Sequence, residues 1–127
     1  QPGALQQGLQ QVAEGLAAFL ADVEQRHLGG RVLTLVWSEF GRRALQNDSN
    51  GTDHGAAGAG FLMGTRVADR MVGEFRGLQK GLDKDGNLRA SVDFRAVYAS
   101  LVEQWFDVDA ARIVPEGARL KRMKLVA

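Results

Sequence analysis

The segment VLTLVWSEFGRR, residues 32–43, decides the expected fold of this chain. The run Arg31–Trp37 shows no alternation of apolar and polar residues, a pattern typical of a strand covered on both faces in a parallel sheet. Ser38 and Glu39 follow this run directly. Because open α/β sheets bind ligands at the carboxyl ends of such strands, the segment predicts both an α/β fold and a site at its polar end.

The segments on either side of this strand complete the α/β pattern. Apolar residues recur at helical spacing from Leu5 to Leu28 and predict one amphipathic helix, which Gly29-Gly30 is expected to end. Residues 41–57 are rich in Asn, Asp, Ser, Gly and Thr and predict a long polar loop. Residues 58–63 then predict a strand of small residues.

The second half of the chain predicts a turn and another helix. Residues 67–78 carry short strand signals, and the stretch DKDGN at residues 83–87 predicts a turn. Ser91 or Asp93 is expected to cap a helix that ends near Asp107. The predicted buried face of this helix comprises Phe94, Val97, Tyr98, Leu101, Val102, Trp105 and Phe106. The basic tail after Ile113 is expected to be peripheral.

Composition limits the classes of protein to consider. The 127 residues, 45% of them hydrophobic, suffice for a single α/β domain over residues 1–127. With 16 basic and 15 acidic residues the net charge is +1, which offers no argument for nucleic acid or an acidic membrane surface. Apolar stretches fall short of the roughly 20 residues that a membrane span requires. The chain has no cysteine, which excludes disulfides and thiolate metal sites, and it shows no signal-peptide pattern.

Glu39, Arg42, Asp53 and His54 are the candidate site residues. Asp, Glu and His side chains are ligands for divalent ions such as zinc, manganese and magnesium, and arginine binds phosphate or sulfate through two parallel hydrogen bonds. A tight metal site needs three or four ligands, and one plausible histidine is present here. The alternative is a solvated loop in which Asp53 caps a turn and Glu39 pairs with Arg42 or Arg43.

Five segments carry a family resemblance: SEFGRR, NGTDHG, the Gly-rich strand, GEFRGL and SVDFRAVYASLVEQWF. Together they resemble a bacterial family of domains of unknown function in the alkaline phosphatase and sulfatase superfamily. Its members are usually exported, often with a twin-arginine signal. The resemblance extends from the first helix to about Pro115. It implies the carboxyl-terminal portion of a longer, exported or periplasmic protein with an alkaline phosphatase-like α/β/α sandwich.

The resemblance allows two placements of the superfamily's Asp-His-Gly motif. In the first, SEFG occupies the motif and His54 is the later histidine that completes a metal site. Glu39 then replaces the aspartate, and Phe40 replaces a histidine ligand and cannot coordinate. In the second, the motif is Asp53-His54-Gly55 itself, and Glu39 and Arg42 are accessory groups. We favour the first placement because the apolar strand precedes SEFG, but either one leaves a metal site depleted relative to a two-metal phosphatase.

The resemblance therefore implies metal-dependent hydrolysis of a phosphate or sulfate ester in the full-length parent. Asp53 and His54 would be ligands of a divalent ion (Zn, Mn, Mg or Ca), Glu39 a ligand or supporting group, and Arg42 the clamp for the anionic ester. The alternative is a non-catalytic exported module that binds a partner or an anionic polysaccharide. The chain alone lacks the upstream nucleophile, so we expect it to be inactive and to self-associate through the unpaired edge of the strand at residues 32–37.

Overall fold

The computed structural model describes residues 2–127. This range is mixed α/β, with two helices, four short strands and 3-10 turns at residues 29–31, 110–112 and 117–119. The helices and strands are α1 (Pro2–Gln25), β1 (Thr34–Val36), β2 (Gly41–Gln46), β3 (Thr52–Gly55), β4 (Phe61–Met63) and α2 (Phe94–Phe106). The predicted α/β class is confirmed. No helix within residues 2–127 combines the length and the apolar character that crossing a membrane requires.

β1 pairs with β4 in an antiparallel sheet, with Leu35 opposite Leu62 at its centre. The prediction of a parallel strand over Arg31–Trp37, covered on both faces, is therefore wrong. The strand is three residues long and half-buried, and a 3-10 turn at Gly29–Arg31 precedes it. Apolar composition predicts that a strand forms, but the direction and number of its partners depend on distant parts of the chain.

β2 and β3 form an antiparallel hairpin where the sequence predicts a long polar loop over residues 41–57, so that prediction is wrong. The Asn47 side chain stabilises the turn, because its Oδ1 accepts a hydrogen bond from the backbone N–H of Gly51 at 3.0 Å. Asn50 adopts a left-handed backbone conformation with φ of 57°. Asn and Gly are common in loops and in hairpin turns alike, so their abundance did not distinguish the two.

α1 ends at Gln25, before the Gly29-Gly30 pair that the sequence predicts as its end. His27 takes the left-handed conformation instead, with φ of 56°. The two glycines lie in the 3-10 turn that leads to β1. A glycine pair is a common helix terminator but not an obligatory one, so the predicted boundary is too late by about one turn.

The remaining local predictions have mixed outcomes. The strand expected within residues 58–63 is present as β4, and the turn at residues 83–87 is confirmed by backbone hydrogen bonds to the carboxylate of its first residue. Within the described structure, residues 67–78 form no strand. Val67 makes an isolated antiparallel bridge with Val126 near the end of the chain.

α2 and the carboxyl-terminal tail build the core. Asp93 caps α2 as predicted, through a hydrogen bond from the backbone N–H of Arg95, and the helix ends at Phe106. Small residues occupy much of its most buried face, whereas Phe94 and Phe106 are 54% and 66% exposed, so these two members of the predicted face are wrong. The buried residues of the two core clusters are Ala99, Leu101, Ala110, Val114, Leu125 and Val126. The tail after Ile113 is thus part of the core, not peripheral.

Side chains of α2 also hold the tail through hydrogen bonds. Gln104 Oε1 accepts from the backbone N–H groups of Leu125 at 2.8 Å and Val126 at 3.0 Å. The Ser100 hydroxyl, which is fully buried, accepts from the backbone N–H of Met123 at 2.9 Å. Buried backbone donors need acceptors, and the tail finds them on the helix.

Candidate functional site

The hairpin brings three of the chemically interesting side chains together: Phe40, Arg42 and His54. Arg42 and His54 are direct cross-strand partners in the β2–β3 hairpin. Side chains of directly opposed residues lie on the same face of an antiparallel pair, and so do residues two apart along one strand. We call Phe40, Arg42 and His54 the hairpin patch.

Ring stacking and a cation–π contact order the hairpin patch. The rings of Phe40 and His54 are stacked, with centroids 3.6 Å apart and planes inclined by 13°. The Arg42 guanidinium carbon lies 5.3 Å from the centroid of the Phe40 ring. Arg42 Nη1 also donates a hydrogen bond to the backbone carbonyl of Thr52 at 2.6 Å. Arg42 and His54 are nevertheless exposed to solvent, and the half-buried Phe40 supports both.

Two glycines opposite each other let the chain pack beneath the patch. Gly41 pairs with Gly55, one residue away from the Arg42–His54 pair. A Cβ atom at Gly41 would overlap the carbonyl oxygen of Ala57, and one at Gly55 would lie 2.7 Å from the backbone of Arg42. Both contacts involve backbone atoms that a side-chain rotation cannot relieve. The close approach of residues 55–57 to β2 therefore requires glycine at both positions.

Asp53 and Glu39 are placed differently from Arg42 and His54. Asp53 immediately precedes His54 in β3, so its side chain lies on the opposite face of the strand. Its Oδ1 accepts a hydrogen bond from Asn47 Nδ2 at 2.9 Å. Glu39 is exposed, and within residues 2–127 it makes no ion pair with Arg42 or another basic residue.

The donors on this hairpin do not fit a complete metal centre. Among the described residues, no group of three or more His, Asp and Glu side chains is arranged to hold a metal ion. The alternation of β3 explains why Asp53 and His54, although adjacent in sequence, do not converge on one point. The arrangement that is present, a guanidinium beside an imidazole on an aromatic support, suits an oxyanion better than a cation.

Carboxylates with displaced pKa values lie elsewhere and serve the scaffold. Hydrogen bonds from Asn87 lower the pKa of Asp83 in its turn, and the Arg95 side chain lowers the pKa of the helix-capping Asp93. The Arg122 guanidinium lowers the pKa of Glu103 through hydrogen bonds at 2.6 and 2.7 Å. The first pair lies within the turn, the second lies at the start of α2, and the third joins α2 to the tail, so all three belong to the scaffold.

An aromatic cluster next to α2 was not predicted as a unit. Trp37, which follows β1, stacks on Phe94 with centroids 5.9 Å apart and meets Tyr98 edge-on at 5.6 Å. Phe94 and Tyr98 also border an open apolar groove of about 500 Å³ that continues towards Pro115. The helical spacing of Phe94 and Tyr98 is visible in the sequence, but the contact with Trp37 depends on the tertiary structure.

Over residues 2–127 these features define a mixed α/β structure with two small antiparallel sheets and an exposed basic and aromatic patch on one hairpin. Residues 1–115 match the family described as "Protein of unknown function (DUF1501)", and the chain belongs to this family. The predicted relationship to a family of domains of unknown function is thereby confirmed. The chain matches no curated protein and no solved structure. Membership of the alkaline phosphatase and sulfatase superfamily stays a prediction.

Proposed function

We propose that the hairpin patch binds an anionic ester, a phosphate or a sulfate, and supplies the oxyanion-binding part of a larger ester-binding protein. The observation that carries this proposal is the direct cross-strand pairing of Arg42 with His54 above Phe40. It presents two nitrogen-bearing side chains on one exposed face of a hairpin whose backbone is held by Gly41 and Gly55.

Arg42 is the main anion contact in this proposal. One of its nitrogens is engaged by the Thr52 carbonyl, and the ring of Phe40 limits the orientation of the guanidinium plane. Within the described residues its Nη2 and Nε groups have no acceptor. A hydrogen bond to a charged group contributes about 1.5–3 kcal/mol, so a pair from one guanidinium accounts for specific but modest affinity.

His54 provides the second contact. Its Cβ lies about 4.5–5.5 Å from that of Arg42, the usual separation of directly opposed residues. An imidazole N–H beside the guanidinium can donate to a second oxygen of the same tetrahedral anion. Stacking on Phe40 fixes the plane of the imidazole, which lowers the entropy lost on binding.

Hydrolysis of the ester belongs in this proposal to the whole protein. The family resemblance implies an alkaline phosphatase-like α/β/α sandwich and an exported location. It also implies a divalent ion (Zn, Mn, Mg or Ca) held by Glu39, Asp53 and His54. The donors described here do not fit such an ion without further ligands. A non-catalytic binding module is therefore the second candidate function. The observation that favours it for the chain alone is that residues 2–127 contain no group of three metal-binding side chains.

Anion titration tests the binding proposal. We expect inorganic phosphate, sulfate and phenyl phosphate to shift the backbone amide resonances of β2 and β3, with affinity that falls as salt rises. Arg42→Ala should weaken this binding at least tenfold. Arg43→Ala is the matched control, because it removes the same charge from the neighbouring position, whose side chain lies on the other face of β2. Equal losses in both variants would reduce the effect to net charge and overturn the proposed site.

Turnover assays separate the two candidates. We expect the 127-residue chain to release no p-nitrophenol from p-nitrophenyl phosphate or sulfate, with or without added Zn, Mn, Mg or Ca. Anion binding without turnover in the chain and in the full-length protein supports the binding module. Metal-dependent turnover in the full-length protein, lost in His54→Ala, supports the hydrolase. Robust turnover by the 127-residue chain itself would contradict the expectation that this chain alone is inactive.

A further inference from the structure

The apolar stripe of α1 follows a regular pattern of alternating four- and three-residue steps. Its members are Leu5, Leu9, Val12, Leu16, Phe19 and Val23. One four-residue step and one three-residue step make a seven-residue repeat, which keeps one seam of a helix facing a partner helix in a coiled coil. The sequence pattern alone is equally typical of a helix buried against its own domain.

The structure shows that most of this stripe is uncovered. Leu5, Leu9 and Val12 are 66%, 61% and 51% exposed, and Phe19 is 45% exposed. Val23, at the carboxyl-terminal end of the stripe, is buried. Among the helices, strands and 3-10 turns within residues 2–127, α1 contacts the 3-10 turn that follows it and no other. The free part of the seam therefore runs from Leu5 to Phe19.

The uncovered area matches what a second copy of the same helix needs. At about 150–200 Å² for each large apolar side chain, the four exposed residues leave roughly 350–450 Å² per chain. Two such stripes, with Leu16 and the flanking alanines, bury close to the ~1,000 Å² in total that a specific interface requires. A patch of this size is comparable to the largest apolar patch of a typical monomer, about 300–600 Å², and such patches are often functional.

The residues that flank the seam favour an antiparallel pair. Gly8 and Gly15 lie on the same side of the stripe, one heptad apart, and a Cβ atom at either would meet nothing within 4 Å. In an antiparallel pair, positions of this kind face each other across the interface. A register that sets Leu9 against Val12 of a second copy also brings Gly8 near Gly15 of that copy. The small residues then permit close approach of the two helices.

Charge does not oppose this arrangement. Residues 2–13 of α1 carry no charged side chain, and Glu14 lies on the side of the helix away from the seam. The same register keeps the remainder of each chain, which follows Val23, at opposite ends of the helix pair. We propose that α1 forms an antiparallel coiled coil with α1 of a second copy of this chain.

Mass measurement in solution is the first test. Light scattering after size exclusion should give twice the 13.8 kDa mass of the chain. Leu9→Gln/Val12→Gln should return the mass to that of one chain, whereas Gln7→Ala/Gln11→Ala, on the outer face of α1, should leave the dimer unchanged. A wild-type monomer at the highest soluble concentration, or a dimer unaffected by Leu9→Gln/Val12→Gln, would overturn the proposal.

Cross-linking is the second test and keeps the seam intact. The chain has no native cysteine, so Gly8→Cys/Gly15→Cys introduces the sole thiols. These positions are too far apart on one helix to join, and mild oxidation should produce a covalent dimer linked from position 8 to position 15. Gln7→Cys/Glu14→Cys has the same spacing on the outer face and should stay uncross-linked. Equal cross-linking of both pairs would mean random collision and contradict the predicted register.

Discussion

The α2–tail half of the molecule and the β2–β3 hairpin are stabilised in different ways. α2 holds the tail with buried apolar residues and with hydrogen bonds that the Ser100 hydroxyl and Gln104 Oε1 accept from backbone N–H groups of the tail. The hairpin depends on backbone pairing, on its turn and on two glycines, and it leaves Arg42 and His54 in solvent. The side chains that stabilise the core and those of the candidate site therefore lie on separate parts of the chain, and substitutions of these side chains should affect stability and anion binding separately.

The largest expected effect is on the α2–tail half. Gln104→Ala should lower the free energy of unfolding by about 2–4 kcal/mol, because the backbone N–H groups of Leu125 and Val126 lose their acceptor. Chemical denaturation measures this change. Gln10→Ala on exposed α1 is the matched control and should cost little. Unchanged stability in Gln104→Ala would show that the tail does not depend on these hydrogen bonds, and the contrast between the two regions would fail.

A second prediction places a methyl group beneath the hairpin patch. Gly41→Ala should cost about 1–3 kcal/mol, because the new Cβ lies within the space of the Ala57 carbonyl and the backbone must move. It should also abolish the anion-induced shifts of amide resonances, since Arg42 and His54 lose their alignment. Gly86→Ala is the control. A Cβ atom there would meet nothing within 4 Å, but φ is positive, so this variant measures the cost of backbone strain without a steric clash. Retained anion binding in Gly41→Ala would indicate that the patch is not pre-organised.

A third prediction concerns pH and the contact between α2 and the tail. Hydrogen bonds from the Arg122 side chain lower the pKa of Glu103 below its ordinary value of 4.5. A carboxylate with a lowered pKa stabilises the folded state above the unfolded pKa, and this contribution is lost as pH falls through the lower, folded value. Glu103→Gln should therefore reduce the loss of stability measured below pH 4.5. Glu14→Gln on α1 is the control, and an equal reduction there would contradict the assignment.

The smallest effect is expected for His54→Ala. Its side chain is exposed and contacts mainly Phe40, so its removal should change the free energy of unfolding by about 0.5 kcal/mol. The same variant should weaken phosphate binding measurably, because one donor of the patch is lost. A large drop in melting temperature with unchanged anion affinity would show that His54 is a packing residue. It would contradict the proposal that stability and anion binding depend on different side chains.

Local patterns in the sequence predicted several elements correctly. The Asp93 cap and the end of α2 follow from side-chain hydrogen bonding and apolar spacing, and the turn at residues 83–87 follows from its Asp, Gly and Asn. The cap, the helix end and the turn depend on interactions within a few residues along the chain, so the sequence contains the information that determines them. The choice of Arg42 and His54 as site residues, made from their chemistry, stays a prediction.

Features that depend on residues far apart in the chain could not be predicted from local sequence patterns. Nothing in the composition of residues 41–57 distinguishes a loop from a hairpin, and the hairpin decides that His54 meets Arg42 while Asp53 lies on the other face. The antiparallel pairing of β1 with β4 likewise depends on residues far apart in the chain. The amphipathic helix α1 was evident from its apolar period, but whether that face is covered is decided by tertiary contacts, because a periodic stripe specifies a surface and not its partner.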